Sequence, residues 1–95
     1  MRFAWDPAKN QANVRRHGLA FADAVGIFSG TTWERVDDRR NYGEERCVAV
    51  GLLQGIEITV VYTDRRTQGG VVRWIISARR ATRDERETFY GGATR

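Results

Sequence analysis

The sequence predicts one α+β domain over residues 1–95, an antiparallel β-sheet with two N-terminal helices on one face and a short C-terminal helix. Three observations predict it. Two helical signatures come first, one opened by a capping residue plus proline and one marked by an apolar stripe. β-prone stretches joined by short turns then fill Arg46 to Ala78. No long crossover separates those stretches, and a parallel sheet would need one.

Each element has its own cause. Arg2–Trp5 alternates as a short strand. Asp6-Pro7 supplies an N-cap and a proline at the first helical position, so a helix runs from there to about His17, where Gly18 gives a left-handed stop. Phe21, Ala24, Val25 and Phe28 stand at i, i+3, i+4 and i+7, the stripe of a second short helix ended by Ser29-Gly30. Thr32–Val36 is β-prone and leads into the charged turn Asp37–Glu45. Arg46–Leu53 and Ile56–Thr63 are strands separated by Gln54-Gly55, a two-residue hairpin signal. Asp64–Gly70 reads as a loop before the strand Val71–Ala78. Thr82-Arg83-Asp84-Glu85 is a T-x-x-E capping box and opens a helix through about Tyr90. The order is β-α-α-β-β-β-β-α.

With 41% apolar and 11% aromatic residues, the 95-residue chain has the composition of one packed domain. No apolar stretch approaches the length of a membrane span, and no signal peptide is visible, so a cytoplasmic protein without membrane contact is expected. Cys47 is the single cysteine and His17 the single histidine, which excludes an internal disulfide and leaves a zinc site short of its usual ligands. We expect no cofactor. The net charge of +4 is uneven: residues 1–45 carry seven basic and seven acidic groups, whereas residues 46–95 carry nine arginines against five acids. Only Lys9 is a lysine. GC-rich coding also favours arginine, but it does not account for the asymmetry between halves. Arginine's planar fork matches phosphate oxygens bidentately, so the second half is read as a grip for a phosphate backbone.

Splitting the strands by face turns this excess into a candidate site. Ile56, Ile58, Val60 and Tyr62 fall on one face, with Glu57, Thr59, Val61 and Thr63 on the other. In the last strand Val72, Trp74, Ile76 and Ala78 oppose Val71, Arg73, Ile75, Ser77 and Arg79. The apolar sets are expected under the helices, leaving Glu57, Thr59, Arg73, Ser77 and Arg79 on a second, cationic face beside Arg65, Arg66 and Arg80. On the first helix Lys9, Asn13, Arg16 and His17 share one side. Arg86 and Tyr90 are four apart on the last helix; Tyr90 could stack on a base or donate to a phosphate, and Glu85 is sufficiently explained by capping. Phosphate-binding glycine loops and the G-x-S-x-G elbow are absent.

Several tracts resemble the BrnT toxins: F-A-W-D-P at 3–7, Lys9, Asn13 and H-G at 17–18, then F-A-D-A-V-G-I-F at 21–28. G-E-E-R at 43–46, V-V-Y-T-D-R at 60–65 and R-W-I-I-S-A-R-R-A-T-R-D-E-R at 73–86 complete the likeness, in order and over nearly the whole chain. The resemblance implies a RelE-like fold and a type II toxin acting as an endoribonuclease that inhibits translation and growth. It also implies a cognate BrnA-type antitoxin in a heterotetrameric complex, which meets operator DNA only through the antitoxin. Resemblance and face analysis together suggest metal-independent RNA cleavage by 2′-hydroxyl attack. Arg65, Arg73 and Arg79 would stabilise the phosphorane, Glu57 or His17 would act as base, and Tyr90 or Lys9 would assist the leaving oxygen. Lys9, Asn13, Arg66, Ser77, Arg80 and Arg86 would hold the RNA. A non-catalytic nucleic-acid-binding module and a gyrase-inhibiting ParE-like toxin are the alternative readings.

Overall fold

The computed structural model describes residues 1–91; residues 92–95 of the expected domain lie outside the described residues. Strands β1 (Arg2–Trp5), β2 (Trp33–Asp37), β3 (Arg46–Leu53), β4 (Ile56–Thr67) and β5 (Gly70–Arg80) form one sheet. Helices α1 (Pro7–His17) and α2 (Phe21–Ala24) follow β1, and α3 (Arg83–Gly91) follows β5. Among the described residues no helix is long and apolar enough to cross a membrane.

Local chemistry sets the helix ends as the sequence suggests. Asp6 accepts from the Ala8 N–H at 2.8 Å, Pro7 opens α1, and Gly18 at φ 68° closes it by donating to Val14 O. The capping box forms reciprocally: Glu85 N–H donates to Thr82 Oγ1, and Thr82 N–H donates to Glu85 Oε1 at 2.8 Å. The second helix differs from expectation. After Ala24 the chain tightens into a 3₁₀ turn over Val25–Ser29. Three residues per turn bring Phe21, Ala24 and Ile27 into line, and these are the residues fully buried; Val25 and Phe28 are only partly so. The turn lies tight on β3, since a Cβ at Gly51 would stand 2.9 Å from Ile27 Cβ.

Gln54 (φ 50°) and Gly55 (φ 80°) make the β3–β4 turn with two left-handed residues, matching the strands' twist. The expected loop Asp64–Gly70 is instead mostly strand: β4 runs to Thr67 and turns back at Gln68-Gly69. Its charges conceal the alternation because they are cross-strand partners. Asp64 sits opposite Arg73 and is salt-bridged to it, and Arg65 lies 4.5 Å over the ring of Trp74.

The strand order β1-β5-β4-β3-β2 is antiparallel except at one edge, where β1 pairs parallel with β5. The purely antiparallel sheet expected from the short connections is corrected there. The chain itself, from α1 through β4, serves as the long connection between first and last strands.

A bulge corrects the face assignment. Val61 pairs with Ser77, but Tyr62 pairs with Ile75, leaving Ile76 as an extra residue in β5. One residue shifts the phase of the strand, so every side chain before it faces opposite to the simple alternation. Arg73 and Ile75 therefore share the face of Val60, Ala78 and Tyr62, beneath α1, α2 and the 3₁₀ turn. Trp74 joins Arg65, Thr63, Ser77 and Arg79 on the other face, where Thr59 meets α3 through Glu85. The core cluster is Phe21, Ala24, Ile27, Ala49, Ile58, Val60, Tyr62, Ile75 and Ala78.

Candidate nucleic-acid interface

The three arginines expected at the centre of one site are divided between two faces, and each is occupied by a carboxylate. Arg73, on the helix-covered face, donates to both oxygens of Asp64 at 2.8 and 2.9 Å, 4.0 Å over the Tyr62 ring and 4.8 Å over that of Phe28. Tyr62 in turn donates to Glu34. Burial first, and that bond second, push the Tyr62 phenol far above its ordinary range, so it stays neutral. Burial likewise raises the neighbouring Cys47 thiol.

Arg79, on the opposite face, pairs with Glu85 at 2.7 and 3.0 Å. Glu85 also accepts from Thr59 Oγ1 and Thr82 N–H. Burial pushes its carboxyl up, but the bonds from Arg79, Thr82 and Thr59 outweigh it and hold it down to about 2. Arg79 thus fastens α3 to the sheet. Arg65 is half exposed and reaches Glu44 at 3.4 Å.

Ten cations make no ion pair among the described residues: Arg2, Arg15, Arg35, Arg40 and Arg46, and with them Lys9, Arg16, Arg66, Arg80 and Arg86. Arg66 lies on the distal β4–β5 ribbon. Arg16 stands at the end of α1 and Arg80 lines a cleft with His17, while Lys9 stands in the first turn of the same helix. Lys9, Ala12, Asn13, Arg16, His17, Ile76 and Ser77 line a cleft of about 210 Å³ between α1 and β5. His17, Gly18, Leu19, Leu53, Gln54, Ile56, Ile58 and Arg80 line a second of about 180 Å³. His17 is common to both. The spacing of Lys9, Arg16 and His17 on one helical side is what places them together, and Gly18, by ending α1 there, leaves the imidazole exposed at the helix terminus.

Asn13 was expected to touch RNA, and the structure corrects this. It is buried, and its amide is committed to backbone: Nδ2 donates to Leu19 O and Ala78 O at 2.8 Å each, and Oδ1 accepts from Ala78 N–H at 3.2 Å. β1 pairs β5 only as far as Ile75, and beyond that point Asn13 satisfies the backbone of Ala78 and so sets α1 against the strand.

A third cleft, about 550 Å³, lies under α3 and is lined by Glu57, Arg83, Arg86, Glu87 and Tyr90. Tyr90 donates to Glu57 Oε2 at 2.5 Å. That bond, helped by the charges of Arg86 and Arg80, keeps the Glu57 carboxyl below its usual range, and Glu57 raises the Tyr90 phenol in return. A carboxylate so stabilised is a weaker proton acceptor, and the expected general-base role of Glu57 is disfavoured.

Sequence reasoning named Arg16 only as a helix-face residue and missed Gln54 as a cleft wall. It also missed the run Phe28–Tyr62–Glu34, of which Tyr62 is the buried member and whose signal was Asp64, two residues after Tyr62 in a strand mistaken for a loop. Among the described residues no three His, Cys, Asp or Glu side chains are grouped to hold a metal.

A family model described as a ribonuclease toxin, BrnT, of type II toxin-antitoxin systems matches residues 5–85. No curated protein matches the sequence.

Proposed function

Since the chain belongs to the BrnT family of type II toxin–antitoxin ribonucleases, we propose that it is an endoribonuclease whose active groove runs along the α1–β5 edge and turns on His17. The observation that carries this reading is that the only imidazole is shared by two clefts, flanked by Lys9, Arg16 and Arg80, cations with no carboxylate partner. RNA phosphates would supply the missing anions.

In this mechanism His17 takes the proton of a ribose 2′-hydroxyl as that oxygen forms a bond to the adjacent phosphorus. Arg16 and Arg80 stabilise the charge that grows on the phosphorane oxygens. The bond to the 5′-oxygen breaks, that oxygen takes a proton from the Lys9 ammonium, and a 2′,3′-cyclic phosphate remains. Every step uses side chains alone, and the reading is of a metal-independent enzyme.

The helix-covered five-strand sheet is read as RelE-like. The partner is a BrnA-type antitoxin in a heterotetramer that presents acidic groups to the same cations and alone contacts operator DNA, and the toxin acts in the cytoplasm. Incubating the purified protein with a defined RNA in the presence of a chelator tests the proposal. Discrete products ending in cyclic phosphate, abolished by His17→Ala, are expected. Intact RNA in a retarded band would replace the enzyme with a binding module, and stabilised gyrase–DNA breaks would replace it with a ParE-like toxin. Loss of cleavage with the chelator would refute the metal-independent step.

A further inference from the structure

The cleft under α3 contains an anomaly for an RNA-binding surface. Its floor is an ionised carboxylate, Glu57, which repels phosphate. Glu87 also lines it, but that carboxylate is engaged by Arg83 at 3.1 Å. Oε2 of Glu57 accepts from Tyr90, its own backbone N–H also bears on the carboxylate, and Oε1 accepts no side-chain hydrogen bond among the described residues. A carboxylate has about four acceptor sites, so Glu57 retains capacity for two more donors. Tyr90, half exposed on α3, offers a ring to stack on, and Arg86 spends one nitrogen on Ala81 O with no carboxylate opposing it. The cleft is open on its outer side, so an extruded base can enter it from solvent. Arg80 lines one of the His17 clefts and sits opposite Ile58, and the next residue, Ala81, donates to Glu57 O at 3.1 Å, so the α3 cleft and the groove lie at the same end of the sheet, on its two faces, with Arg80 between them.

A ring face, a carboxylate with two open acceptor positions and a flanking guanidinium match an unstacked base that presents two donors side by side. Among RNA bases that is guanine, through N1–H and N2–H; adenine offers one donor beside an acceptor, cytosine one amino group, and uracil one imide. Single-stranded bases are read in this way, on their Watson–Crick edges and stacked on aromatic side chains.

We infer that the cleft of Glu57, Arg86 and Tyr90 is a guanine-selective subsite that fixes where the RNA of the proposed reaction lies against His17. Glu57 accepts N1–H and N2–H, Tyr90 stacks on the purine, and Arg86 holds the adjoining phosphate. The inference rests on the ribonuclease reading for its ligand but is tested by binding, independently of cleavage.

The experiment measures affinities of His17→Ala protein, which leaves the RNA uncut, for short single-stranded RNAs differing at one position: guanine, adenine, or inosine, which lacks the N2 amino group. Guanine is expected to bind roughly 5- to 150-fold more tightly than adenine, the range of one bidentate base contact, with inosine between them. Glu57→Gln, which puts a donor where an acceptor is needed, should erase the preference. Tyr90→Phe keeps the ring and frees Oε2, and should retain it. Equal binding of guanine and adenine RNAs, or a preference that survives Glu57→Gln, overturns the inference. His17-dependent cleavage with no base preference would leave the ribonuclease reading intact while refuting the subsite. Guanine-selective binding by native protein that cuts no RNA would do the reverse.

Discussion

Two populations of cation occupy opposite situations in this molecule. Arg73 and Arg79 lie on different faces of β5, and each is locked bidentately to a carboxylate, Asp64 or Glu85. Lys9, Arg16 and Arg80 line the two clefts that share His17 and have no such partner. A guanidinium paired bidentately with a carboxylate has its charge countered and fewer N–H groups left for a phosphate, whereas an unpaired one gives up only water. The locked pairs hold the framework, and the unpaired set has charge available for a ligand. Counting arginines along the sequence cannot separate these groups; pairing can.

The largest test of that division is His17→Ala, which should lower RNA cleavage by about 10²–10⁴-fold, with an unchanged unfolding midpoint. Comparable loss of cleavage in folded Arg73→Ala, with His17→Ala still active, would reverse the comparison. Arg79→Ala should act chiefly on stability: it leaves Glu85 underpaired and is expected to cost about 2 kcal/mol in denaturant unfolding, the size of a hydrogen bond to a charged group. Acid should reveal the same contact. Glu85 is held down to about 2 against an ordinary 4.5. Its contribution is therefore fully present above about 4.5 and is lost as pH falls through about 2. Glu85→Gln should flatten the acid limb of a stability–pH curve; an unchanged limb would show the pair to be idle. Smaller still is the effect of Arg80→Ala on RNA binding by inactive protein. It should reduce the salt slope by about 0.7, one phosphate contact to a single strand. Arg66→Ala, on the distal ribbon, should move stability by no more than about 0.5 kcal/mol.

What the sequence disclosed about the fold was local chemistry. Asp6-Pro7, Gly18, Gln54-Gly55 and Thr82–Glu85 specify their ends and turns through neighbours within a few positions, and each forms as expected. What it concealed was relational. β1 meets β5 across most of the chain, and no residue in Arg2–Trp5 announces that partner. Ile76 is an ordinary β-former whose status as an extra residue exists only relative to β4, yet it moves Arg73 to the other side of the sheet. The candidate site was divided in the same manner. Lys9 and His17 were legible from helical spacing, because α1 alone decides which side they share. That Arg79 belongs to Glu85, and that Asn13 faces inward rather than toward a ligand, depends on tertiary partners.

Asn13 has a consequence for the molecule's behaviour in a crowd. An unpaired stretch of strand edge invites another chain to add itself, the first step of edge-to-edge aggregation. By answering both the N–H and the carbonyl of Ala78, one side chain closes a position in the part of β5 that β1 leaves open. Replacing it with alanine would do more than loosen α1: it would turn a guarded edge into a template. Asn13 thus occupies a position on that edge where a second copy of the chain could otherwise pair.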